Sequence, residues 1–178
     1  MQLESSLRPV VLAAALTAIF STPAAQADNL SIKLTVPRMQ TSEYHRPYVA
    51  VWLENADRSV LRDLAVWYDY TMARDEGKKW LKDIRRWWRV SGRNQTTLAD
   101  GVTGATRAPG THTVTLALDD PRLAGLPAGR YELAVEASRE KGGLELVRLP
   151  LQWPLDQSAN VQASGKTELG AIEVSISR

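Results

Sequence analysis

The hydroxyls of Thr103 and Thr106 stand out among the side chains able to make a bond, because almost every alternative is missing or isolated. The 178-residue chain has no cysteine, which removes disulfides, thiolate metal sites, thiol catalysis and a cysteine-linked lipid anchor. His45 and His112 are its two imidazoles, far apart and without ligand spacing around them, so no metal is expected. No Gly-x-Ser-x-Gly element occurs and the acids are scattered, so no hydrolase nucleophile and no carboxylate pair can be nominated. What remains is Asp100-Gly101-Val102-Thr103-Gly104-Ala105-Thr106, followed by Arg107, inside a long loop over 91–110. A loop of that length in a compact domain is usually functional or disordered, and Gly101, Gly104 and Gly110 predict that it is mobile as long as it is unmodified. Asp-Gly is also a common turn dipeptide, so a plain polar turn is the competing reading.

The stretch 100–106 resembles the acceptor signature Asp-x-x-(Ser/Thr)-Gly-Ala-(Thr/Ser) of proteins that FAD:protein FMN transferases modify, and every specified position matches. The resemblance implies that Thr106 carries covalent FMN through a phosphoester. It also implies that Asp100, Gly101, Thr103, Gly104 and Ala105 form the part the transferase recognises. These residue types suit that chemistry. A phosphoester needs an aliphatic hydroxyl, which is a weak nucleophile until a base or metal activates it. The modifying enzyme would bring both, as Mg²⁺ and a base. Gly104 and Ala105 keep the approach to the hydroxyl free of bulk. Arg107 adjoins Thr106 and is a candidate partner for the phosphodiester. A wider similarity covers 47–52, 64–68, 86–89 and 103–110. It looks like a family of predicted periplasmic proteins of unassigned function that occurs with PepSY-type membrane proteins and flavin transferases. That resemblance implies flavin-based electron transfer with a PepSY-type membrane redox protein as partner. It implies no substrate.

A frame must position these residues. Residues 1–27 read as a secretory signal peptide: Arg8, an apolar run over 10–20, then small residues ending in Ala25-Gln26-Ala27. The apolar run is too short to span a bilayer, so no stable membrane insertion is expected and the exported chain would start at Asp28. Residues 28–178 read as a single domain. Apolar and polar residues alternate in 30–36, 111–118 and 130–136. Apolar, β-branched runs occupy 48–53, 60–68, 144–153 and 169–176. Split by Pro, Gly, Asp and Asn turns, they predict a mainly β fold, an immunoglobulin-like antiparallel β-sandwich.

One segment breaks the period of two. Trp80, Leu81, Ile84, Trp87 and Trp88 fall at helical spacing and predict one inserted amphipathic helix over 78–90. Its other face carries Lys78, Lys79, Lys82, Arg85, Arg86 and Arg89. Trp87 and Trp88 are candidate walls for a flavin ring, Tyr68 and Tyr70 weaker ones, and Trp80 reads as packing. The basic face reads as solvated, with the FMN phosphate, reduced flavin, an anionic partner or lipid headgroups as the alternatives it could serve. A net charge of +2 makes no case for nucleic acid. The chain therefore reads as a periplasmic electron carrier more than an enzyme with its own substrate. The alternative is a cofactor-free periplasmic β-sandwich module serving a membrane or transport partner.

Overall fold

The computed structural model describes residues 28–59, 61–98, 101–156 and 159–177. The signal-peptide reading of 1–27 lies outside them. In β1 (Asn29–Val36) the alternate residues Leu30, Ile32, Leu34 and Val36 are buried, while on the opposite face Lys33 is exposed, Thr35 half-buried and Ser31 buried. β1 sits between β5 (Gly110–Ala117) and β9 (Ala171–Ser177), with β8 (Asn160–Ser164) beyond β9, in one antiparallel sheet. The second sheet runs β4 (Thr103–Gly104), β3 (Leu61–Trp67), β2 (Tyr48–Asn55), β6 (Gly129–Ser138), β7 (Leu144–Trp153). All its pairings are antiparallel except β3 with β4.

β1 pairs β5 in one sheet while β2 pairs β6 in the other, the interlocked crossing of an immunoglobulin-like sandwich. At the start of β6 the Tyr131 hydroxyl donates to the Pro127 carbonyl at 2.9 Å, the tyrosine corner of that fold class. Between the sheets lie Leu30, Ile32, Leu34, Val49, Val51, Leu53, Leu133 and Val135.

β2 is buried on both faces. Val49, Val51 and Leu53 enter the sandwich core, while Ala50 and Trp52 point the opposite way into a second cluster with Val66, Tyr68, Leu81, Ile84 and Trp87. A helical excursion between β3 and β4 covers that outer face. The single helix expected over 78–90 is corrected here. The excursion has α1 (Glu76–Lys79), a 3₁₀ turn over Leu81–Asp83, and α2 (Arg85–Val90), broken at Ile84 where ψ is 77°.

The sheet explains the break. Glu136 of β6 accepts the backbone N–H groups of Arg86 at 2.9 Å and Trp87 at 2.8 Å, which are the orphan donors of a new helix start. Burial pushes the Glu136 carboxyl up, and those two N–H bonds pull the other way. Asp63 of β3 takes the Trp87 indole N–H at 2.9 Å and the Gln95 amide at 2.6 Å. Arg86, read as part of the basic face, turns inward toward Glu54 instead, with Nη2 at 3.6 Å. β4 and β8 had no counterpart among the expected strands. β8 is polar, with only Val161 and Ala163 half-buried at alternate positions.

Candidate functional site

The 101–106 stretch is an added edge of the second sheet. The Val102 carbonyl accepts the Val66 N–H at 2.8 Å, and the Gly104 carbonyl accepts the Tyr68 N–H at 3.0 Å. Val102 is buried in the outer cluster, whereas Thr103 is exposed. Gly101 turns the chain into this strand with φ of +79°, a conformation that favours glycine. Its carbonyl accepts Arg122 Nη1 at 2.9 Å, and the same nitrogen donates to the Leu64 carbonyl at 2.9 Å. Asp120 holds Arg122 through bonds of 2.8 and 2.7 Å, and that guanidinium keeps the Asp120 carboxyl below its usual range. The 101–104 part of the loop is thus tied to β3 and to Arg122.

Gly104 has a steric role as well. A Cβ there would stand 3.1 Å from Cδ1 of Trp67. The Arg107 guanidinium lies over that indole, 5.1 Å from its centroid, and the His112 ring meets it edge-on at 5.9 Å. His112 Nε2 lies 2.7 Å from the Ala108 carbonyl. Arg107 therefore lines a separate hollow of about 170 Å³ with Trp67 and Arg122, and it is not among the residues lining the main cleft.

Ala105 and Thr106 line that cleft, an open space of about 960 Å³. Cofactor pockets commonly span roughly 300–1,000 Å³. Its walls come from the 44–48 segment, the excursion, and the turn between β6 and β7. Tyr44, Tyr48 and Trp80 supply rings, and Arg46, Arg85, Arg139 and Lys141 supply cations. Burial raises the hydroxyls of both Tyr44 and Tyr48, so each stays neutral through the neutral range, and the Tyr48 hydroxyl is engaged with the Asp69 backbone. Arg139 is fixed by a bidentate pair with buried Glu168, at 2.8 and 3.0 Å, and Lys141 by Glu43 at 2.7 Å. Arg46 and Arg85 are exposed and in no salt bridge among the described residues.

Thr106 itself is half-buried and lines the cleft. Gly101, Thr103, Gly104 and Ala105 run up to it along the sheet edge, and Asp100 lies outside the described residues. The aromatic assignments change places. Trp87, a candidate ring wall, is fully buried against Asp63 and Gly92, so it presents nothing to the cleft. Trp88 packs on Trp87 with centroids 6.4 Å apart and does not line the cleft either. Trp80, read as packing, is the half-exposed indole on its rim. Tyr44, Tyr48 and Arg139 went unnoticed in the sequence, since nothing in their spacing links them to Thr106. Arg122 went unnoticed for the same reason.

Fold and site together define an immunoglobulin-like sandwich whose second sheet carries a helical excursion, with a threonine-rimmed cleft beside it. The chain belongs to the family DUF2271, described as predicted periplasmic protein, whose model matches residues 29–171. Its location is the periplasm, as that description states. Among the described residues no helix is long and apolar enough to cross a membrane. Comparison with curated proteins and with solved structures gives no match.

Proposed function

We propose that this protein is a periplasmic flavoprotein carrying FMN on Thr106, and that it relays electrons between a membrane redox protein and extracytoplasmic partners. The observation that carries the reading is the position of Thr106: it lies two residues past the glycine-containing edge strand β4 and lines a cleft together with Tyr44, Tyr48 and Trp80. A hydroxyl sealed in the core could not be esterified by a second protein, and this one is within reach of solvent.

The attachment step balances with FAD as co-reactant. The Thr106 oxygen bonds to the riboflavin-side phosphorus while the P–O–P bridge breaks. AMP leaves with the bridging oxygen, and the hydroxyl proton passes to a base of the FAD:protein FMN transferase. No base from this chain is needed.

When bound, FMN exchanges one or two electrons; the protein supplies tether, wall and field. Gly104 leaves room for Trp67 beside the edge strand, so Thr106 is offered at a fixed place. Tyr44 and Tyr48 give the cleft ring surface, and Arg46 and Arg85 add positive charge to its lining. Covalent attachment suits a compartment where a dissociable flavin would be lost. A PepSY-type membrane protein is the proposed donor.

The test is intact mass after co-expression with a flavin transferase. Wild type is expected to gain one FMN, visible as an ultraviolet-fluorescent band after denaturing electrophoresis, and Thr106→Val none. A colourless wild type, or equal gain in Thr106→Val, overturns the assignment and leaves the cofactor-free accessory module.

A further inference from the structure

The excursion polarises the molecule. Residues 73–94 hold eight Lys and Arg against three Asp and Glu, net +5, whereas the whole chain is +2 and everything outside the excursion sums to −3. Folding neutralises part of this charge. Lys78 and Lys79 meet Asp75 and Glu76 at 3.1 and 3.2 Å, and Arg86 faces Glu54. Arg74, Lys82, Arg85, Arg89 and Arg93 remain exposed and form no salt bridge among the described residues. The sheet carboxylates that meet the excursion are already committed: Glu136 to two backbone amides, Asp63 to Trp87 and Gln95.

A cationic surface alone is ordinary. Here it adjoins apolar side chains that the fold leaves in water. Among the described residues, three of the five large hydrophobics that are exposed lie just ahead of or within the excursion: Tyr70 at 55%, Met72 at 37% and Trp80 at 50%. The Lys82 ammonium sits 5.8 Å from the Trp80 ring centroid, and Met72, Trp80 and Arg85 line the mouth of one cleft.

We infer that this face is a peripheral docking surface for an anionic lipid bilayer, with Trp80 and Met72 entering the headgroup layer and Lys82, Arg85 and Arg89 lying over lipid phosphates. An indole under Lys82, and a thioether that lines one cleft with it and with Arg85, match the bilayer interface on both counts, apolar below and anionic above, although Asp69 and Asp83 line that cleft too. An acidic protein face would engage the cations and leave the apolar side chains in water. Because the same residues form the cleft mouth, docking brings the rim that holds Thr106 to the membrane surface. The inference does not rest on flavin at Thr106, and unmodified protein serves to test it.

The experiment is co-sedimentation of protein purified from the periplasm with phosphatidylcholine vesicles, with and without about 30% phosphatidylglycerol, at low and high salt. Binding is expected only with the anionic lipid and only at low salt. Each basic residue near such a surface strengthens binding about five-fold, so Lys82→Ser/Arg85→Ser/Arg89→Ser is expected to weaken it roughly 100-fold. Trp80→Ala is expected to weaken it roughly ten-fold and to shift the emission of the bound protein, since the indole no longer enters the interface. Three results would overturn the inference: no binding to the anionic vesicles, equal binding to pure phosphatidylcholine, or a triple variant that binds like wild type while circular dichroism shows it folded. Binding to poly-glutamate without binding to vesicles would also overturn it and point to an acidic protein.

Discussion

The sheet β4-β3-β2-β6-β7 has a hydrophobic core on each side, and the two are built by different rules. The sandwich core is filled by alternate residues of paired strands, so each contributor follows from its own strand's period of two. The outer core takes Ala50, Trp52, Val66 and Tyr68 from the back of the strands and Leu81, Ile84 and Trp87 from the excursion. Local structure alone does not hold that excursion in place. Its two helices are four and six residues long, far too short to be stable alone, and neither has a side-chain cap of its own. Carboxylates from the sheet, Glu136 and Asp63, do the capping and anchoring. The motif strand β4 is held the same way, by β3 and by Arg122. The candidate site therefore depends on contacts distant in sequence, while the alternation that builds its scaffold does not.

The largest effect that would break this comparison comes from Trp87→Ala. It empties the centre of the outer core and strands Asp63, and should cost about 3–5 kcal/mol in urea denaturation. A loss below about 1 kcal/mol would mean that the excursion is an appendage and not a second core. Next comes Glu136→Ala, which leaves two buried amides without an acceptor; about 2–4 kcal/mol is expected, with α2 amides exchanging faster by hydrogen exchange while β1 stays protected. Fast exchange spread evenly over both sheets would erase the distinction between the cores.

The sandwich side has a matching device to sharpen the contrast. Glu145 of β7 accepts the backbone N–H groups of Lys166 at 2.5 Å, Thr167 at 3.0 Å and Leu169 at 2.8 Å, shaping the turn between β8 and β9. Burial pushes the Glu145 carboxyl up, but those three amides outweigh it and hold it below its ordinary value of 4.5. Its contribution is thus present above pH 4.5 and lost as pH falls through the lower folded value. Glu145→Gln is expected to cost about 1–2 kcal/mol at neutral pH, the difference from wild type vanishing in acid; a cost that persists in acid would assign it to shape and not to charge. The smallest effect is expected at the motif. Arg107→Ala removes an exposed cation–π contact worth about 0.5 kcal/mol and leaves flavin loading by intact mass unchanged; loss of loading would return Arg107 to the phosphate.

How far each part could be read from the chain follows the same division. Leu30, Ile32 and Leu34 in β1, and Leu133 and Val135 in β6, announced their burial by alternation alone. The stripe of Leu81, Ile84 and Trp87 was visible at helical spacing, and all three are buried. The break at Ile84 was not, because its cause sits fifty residues away in β6. Trp80 and Trp87 looked alike as members of one stripe, and breaking the helix put one on the rim and the other in the core.

By itself the sequence determined the strand alternation, the turn glycine at 101 and the hydroxyl at 106, because these depend on neighbours a few residues apart. Only the tertiary structure decided which rings share a cleft with Thr106, where Arg107 points and how the excursion is folded. Those outcomes rest on carboxylates, carbonyls and indoles brought together from different strands, and no local pattern encodes such meetings.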